Sequence, residues 1–204
     1  MQGGQGCGIF YLDYCFPCRH PPQAPIPVKK QLPIIFIAFI LPITAMLWWW
    51  GLFSTPKLQI EQAGDYHYAY LEAQGVYSKL GETLAEVKQE LDRQGISHGA
   101  EVTLVMTDPR KTKPADLLAR TGYMIPADAK LQSPLKSATI PKREVVAVSI
   151  KAHPLLAYGK TYGALLDYTN QHHSSLQLPT LEIFENSVLR VEMPLSHEPQ
   201  DASP

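Results

Sequence analysis

Two hundred and four residues, 45% hydrophobic and 18% charged, leave room for about one ordinary domain and exclude a large multidomain machine. The charge is unevenly spread: no charged side chain stands between Lys30 and Lys57, whereas residues 57–204 hold 15 basic and 18 acidic groups, a net of −3. That balance offers no basic field for nucleic acid, so no nucleic-acid partner is expected.

Residues 1–31 form a Gly-, Gln- and Pro-rich tail, expected to be disordered or a mis-assigned start. It carries all three cysteines, Cys7, Cys15 and Cys18. A single Cys15-x-x-Cys18 with His20 nearby lacks the second ligand pair of a structural zinc site, so neither metal nor cofactor is expected.

From Leu32 to Phe53 the chain runs for 22 positions without a charge, and at about 1.5 Å rise per residue it covers the roughly 30 Å of a hydrocarbon core. Residues 32–53 therefore read as one transmembrane helix in contact with the lipid bilayer. Pro42 falls mid-span, and Trp48, Trp49 and Trp50 sit where an interfacial aromatic belt belongs. Lys29 and Lys30 precede the span, while Lys57 after it is soon joined by Glu61 and Asp65, which places the N-terminus inside and the domain outside. Trp-Trp-Trp-Gly-Leu-Phe offers no small-x-small cleavage site, so the segment reads as an uncleaved signal anchor. The expectation is a single-pass protein of a bacterial inner membrane with an extracytoplasmic domain.

Residues 57–196 repeat. At an offset of 78, Tyr68-Ala69-Tyr70-Leu71 falls on Val146-Ala147-Val148-Ser149, Gly81 on Gly159, Thr83 on Thr161, and Leu104 on Glu182. In the first module, 57–126, Tyr66 to Glu72 reads as a strand broken by Gly75. Leu80, Leu84, Val87 and Leu91 then recur at helical spacing until Gly95, and strands follow at Val102–Thr107 and Gly122–Ile125. The second module, 136–195, has a strand over Glu144–Ile150. A helix then starts at Pro154 with Leu155, Tyr158, Tyr162 and Leu165 on one stripe, and a tight pair of strands covers Thr180–Glu185 and Val188–Met193. Ala127 to Pro141 reads as a polar linker, and 197–204 as a flexible tail. The predicted fold class is α+β: two tandem strand-helix-strand-strand modules forming an antiparallel sheet, with helices on one face and a cleft on the other, preceded by the transmembrane helix.

Alternation along Thr180–Glu185 separates Leu181 and Ile183 from Glu182 and Phe184. Were the first pair to meet the helices, the second would face the open cleft. The counterpart of Glu182 in the first module is Leu104, so the scaffold does not require an acid there. Glu182 with Phe184, and with Tyr66, Tyr68 and Tyr70 on one strand face, suggests a pocket for a cationic or amide-bearing, partly aromatic or amphipathic small molecule. The plainer reading is a solvated strand carboxylate. No G-x-S-x-G, P-loop or H-E-x-x-H motif occurs, and His153, His172 and His173 lack a carboxylate at metal-ligand spacing.

Three stretches carry a family resemblance: Tyr68 through Tyr77, Asp108-Pro109-Arg110-Lys111 through Gly122-Tyr123-Met124-Ile125-Pro126, and Leu178-Pro179-Thr180-Leu181-Glu182-Ile183-Phe184-Glu185. In this order they resemble the GyrI-like, or bacterial effector-binding, domain family over about Leu58 to Leu195. The resemblance implies two modules around a cleft that takes drug-like cations and other small organic molecules, with the cleft acid at Glu182 and Phe184 in place of a tyrosine. Transcription regulators of the family carry a DNA-binding domain where this chain has its apolar segment, so the arrangement resembles a membrane-anchored branch without DNA binding. Three functions follow as expectations. The first is a membrane-anchored binding or sensing module that is a monomer in its soluble part and more a binder than an enzyme. The second is a hydrolase of reactive small molecules using Glu182 as general base. The third is a membrane-tethered interaction adaptor.

Overall fold

The structure, a computed structural model, describes residues 28–75, 79–108 and 110–195, with side chains from Phe36 onward. The expectations for the cysteine-bearing tail and for residues 197–204 lie outside those residues. The chain divides into two compact units, Met1–Pro42 and Ile43–Pro204. A 22-residue helix, α1, spans Val28–Trp49. Among the described residues no helix is long and apolar enough to cross a membrane.

The second unit holds eight strands, β1 (Lys57–Ala63), β2 (Tyr66–Gln74), β3 (Glu101–Val105), β4 (Leu118–Met124), β5 (Lys136–Ile140), β6 (Arg143–Lys151), β7 (Thr180–Glu185) and β8 (Val188–Pro194), and two helices, α2 (Leu80–Gln94) and α3 (Pro154–Gln171). Local chemistry explains the boundaries. Gly95 takes φ 69°, open to glycine at little cost, and α2 closes with the Gly95 amide donating to the Asp92 carbonyl and the Ile96 amide to the Leu91 carbonyl. Pro154 occupies the first turn of α3, where no amide donor is needed. Asn186 and Ser187 both take positive φ, the geometry of a two-residue hairpin between β7 and β8.

The strands form one sheet in the order β1-β6-β8-β7-β3-β4-β2-β5, antiparallel at every junction. Only Gly64 and Asp65 join β1 to β2, yet the two stand six places apart in that order. A flat sheet would separate them by about 29 Å, whereas three peptide links reach at most about 11 Å. The sheet must therefore curl. Pro141 and Lys142 make the matching short link from β5 to β6, and the two links touch: a Cβ on Gly64 would lie 2.2 Å from the Pro141 carbonyl oxygen. Inside the curl Tyr68, Tyr70, Val102, Leu104, Ile140 and Leu181 pack together. On the outer face α3 covers Val146, Val148, Ile150, Leu189 and Val191, and Val87 and Leu91 of α2 pack on Ala69 and Tyr123.

Five expectations change. The polar linker at 127–141 contains β5, and β1 precedes the first expected strand; each leads into one module but pairs with the other, β1 with β6 and β5 with β2. Leu104 pairs directly with Leu181, so it shares the inner face with Leu181 while Glu182 lies on the outer one. The offset of 78 is thus one residue out of phase, and a one-residue slip exchanges faces. The cleft lies on the same side of the sheet as the helices, as described below, and not on the opposite side. Lastly, α3 buries Ala157, Thr161, Leu165 and Thr169, whereas Leu155 is 75% exposed and Tyr158 is partly exposed.

The stretch after α1 is pinned to the start of α3. The Trp50 and His153 rings stack with centroids 4.3 Å apart, and the His153 amide donates to the Trp50 carbonyl at 2.8 Å. The Lys160 ammonium donates to the carbonyls of Gly51, Leu52 and Ser54.

Candidate functional site

A cavity of about 640 Å³ opens on the outer face between α2 and α3. Its floor is the sheet: Glu101, Thr103 and Val105 from β3, Thr121 from β4, and Thr180, Glu182 and Phe184 from β7. Leu80 and Leu84 of α2 form one wall, Tyr158, Tyr162 and Leu166 of α3 the other, and Leu176, Leu178, Asp108 and Arg110 complete the rim. Strand pairing sets this floor, because Thr103 faces Glu182 and Glu101 faces Phe184 across the β3–β7 ladder.

Glu182 is 8% exposed. The Tyr162 hydroxyl donates to its Oε1 at 2.5 Å and lies 3.2 Å from Thr180 Oγ1. No cation among the described residues pairs with it. Burial pushes the Glu182 carboxyl up to about 7, with the Tyr162 hydrogen bond opposing. Burial, and then the charges of Glu182 and Glu101, push the Tyr158 hydroxyl up to about 12. At the rim the Arg110 guanidinium holds Asp108 below the usual carboxylate range, through contacts of 3.0 and 2.8 Å. That rim cation is already matched.

The predicted site residues separate. Glu182 and Phe184 line the cavity. Tyr66, Tyr68 and Tyr70 do not: they project to the inner face, where Tyr68 and Tyr70 belong to the buried cluster with Leu104 and Leu181 and Tyr66 donates to Glu192 at 3.1 Å. The cavity instead recruits Tyr158, Tyr162, Glu101 and Thr103. A signal for the first two was present in the sequence, since Tyr158 and Tyr162 stand four residues apart on one helix face with polar tips, but they read as core. Among the described residues no group of three or more His, Cys, Asp or Glu side chains could hold a metal ion.

Residues 56–193 match the GyrI-like small molecule binding domain. The chain belongs to that family. No curated protein matches it. Solved structures similar to this GyrI-like domain include EcmrR in a DNA complex within EcmrR-RPo, 12% identical with TM-score 0.56, covering 82% of this chain and 68% of that one. The EcmrR C-terminal domain is 14% identical with TM-score 0.52 over 69% of this chain and 96% of that one. The Vibrio cholerae integron cassette protein VCH_CASS2 is 8% identical with TM-score 0.52 over 69% and 97%. At these identities the likeness is one of fold.

Proposed function

We propose that this GyrI-like domain binds or senses cationic, partly aromatic organic molecules, and that residues 32–53 tether it to a membrane with the domain on the extracytoplasmic side. The observation that carries the binding reading is a buried carboxylate, Glu182, set in a largely apolar cavity of drug-ligand size with no cation among the described residues paired to it. A lipophilic cation supplies the missing charge, and the apolar walls and the rings of Tyr158, Tyr162 and Phe184 supply its contact surface.

The test is titration of the protein with tetraphenylphosphonium. Affinity should rise between pH 6 and pH 8, because the cation favours the ionised carboxylate and expels its proton. Glu182→Gln should weaken binding about tenfold and remove the pH dependence, in the range of a lost charge-assisted contact of about 1.5–3 kcal/mol. Unchanged affinity and pH profile in Glu182→Gln would sink the reading.

The tether rests on the uncharged run from Leu32 to Phe53, the Lys29–Lys30 pair before it, and Trp48 and Trp49, which are largely exposed on the last turns of α1. A periplasm-dependent reporter fused after Pro204 should be active; activity of a cytosol-only reporter instead reverses the orientation.

One observation favours hydrolysis as a second reading. A carboxyl poised near neutrality is suited to activate a water. Turnover of an epoxide by the protein and its loss in Glu182→Gln would promote this reading over binding alone.

A further inference from the structure

Resting on that cation-binding reading, we infer that the cavity is a two-anchor site for organic dications, with Glu182 holding one charge at the buried part of its floor and Glu101 holding the second at the more exposed part. Glu101 lines the same cavity from β3 and is half-buried. It pairs across the ladder with Phe184, two residues from Glu182 on β7, so the two carboxylate-bearing positions are diagonal neighbours about 7 Å apart at the backbone. Both act on one further lining group: the charges of Glu182 and Glu101 each raise the Tyr158 hydroxyl.

The charge census of the walls fits two positive centres rather than one. The lining cation Arg110 is occupied by Asp108 at 2.8 Å, which leaves it neither repelling a bound cation nor neutralising the two glutamates. Among the described residues neither Glu101 nor Glu182 has a cationic partner. The remaining lining is hydroxyl or apolar, so only these two groups distinguish a dication from a monocation. Their exposures differ, which orders the anchors: one charge enters the desolvated floor, and the other stays at a site water still reaches, where a single anchor contributes less.

The ligand class is therefore an aromatic or alkyl scaffold with two cationic groups separated by about the span of two carboxylates on adjacent strands, such as a bis-amidine. A direct test compares a flexible bis-benzamidine with the mono-amidine of the same scaffold by calorimetry at pH 8. The wild type should prefer the bis-cation at least tenfold. Glu101→Gln should abolish that preference while leaving the mono-amidine within about twofold, and Glu182→Gln should weaken both. Equal affinity of the wild type for the two probes, or an equal loss for both in Glu101→Gln, overturns the two-anchor inference and leaves the cation reading standing. Binding of neither probe overturns both. A matching unfolding midpoint for Glu101→Gln and wild type confirms that the loss is local.

Discussion

Two glutamates are buried in this sheet, one on each face, and they are treated oppositely. Glu192, fully buried inside the curl, accepts from Arg190 Nε at 2.7 Å and from the Tyr66 hydroxyl, and Arg190 also bonds Glu61. Glu182, buried on the outer face, receives a tyrosine hydroxyl and opens on a cavity. The desolvation cost of a carboxylate is severe in either place, so a fold that matches one with a guanidinium and leaves the other without a cation marks the first as part of the scaffold and the second as part of a site.

The largest effect should come from breaking the matched side. Arg190→Ala leaves Glu192 in the core without its cation and should lower stability by about 4 kcal/mol, read as a shifted urea midpoint. A loss below about 1 kcal/mol would show that the inner network is not the scaffold element described.

The unmatched side should respond with the opposite sign. Below about pH 4.5 Glu182 is protonated in both native and unfolded chains and costs nothing. Between about 4.5 and 7 the native state keeps a proton that the unfolded state has released, so stability falls as pH rises, by about 3 kcal/mol in total. Glu182→Gln should therefore match the wild type at pH 4 and exceed its stability at pH 8 by up to that amount, measured by denaturant melts at both values. A variant that is less stable at pH 8 would place Glu182 with Glu192 as a structural acid.

The smallest effect sharpens the face assignment. Tyr68→Phe removes one hydroxyl from the inner face and should change the affinity for tetraphenylphosphonium by less than twofold, because Tyr68 does not line the cavity.

The sequence made the helices and most strands legible because their signals are local. The spacing of Leu80 to Leu91, the Gly95 stop and the Pro154 start each act within a turn or two of chain. Faces were harder. A curled sheet buries both sides, so Leu181 and Ile183 inside and Phe184 outside are all apolar, and alternation cannot say which set meets a helix. The repeat offset, one residue out of phase, set Leu104 against Glu182 although the two lie on opposite faces, and nothing local showed that the face carrying Tyr66, Tyr68 and Tyr70 is not the face of Glu182. The edge strands escaped notice because Lys57–Ala63 and Lys136–Ile140 are polar and largely exposed; their pairing partners lie far along the chain, where local pattern has no reach. Glu182 was legible from the acid in an otherwise apolar strand beside Phe184 and from the family resemblance over Leu178 to Glu185, both of which survive the error in the offset.

The exchanged edge strands also bear on how such a chain can be assembled. On a ribosome β1 emerges before the other seven described strands, yet Lys57 must wait for Ser149 to gain its ladder, so the first module leaves the exit tunnel with a leading strand that has no home within it. Synthesised alone, one module could place that strand only on a second copy of itself, as a swapped dimer. Joining two copies end to end closes the exchange within a single polypeptide, and what would have been a subunit contact becomes the touch between the two short links, Gly64–Asp65 of one module and Pro141–Lys142 of the other.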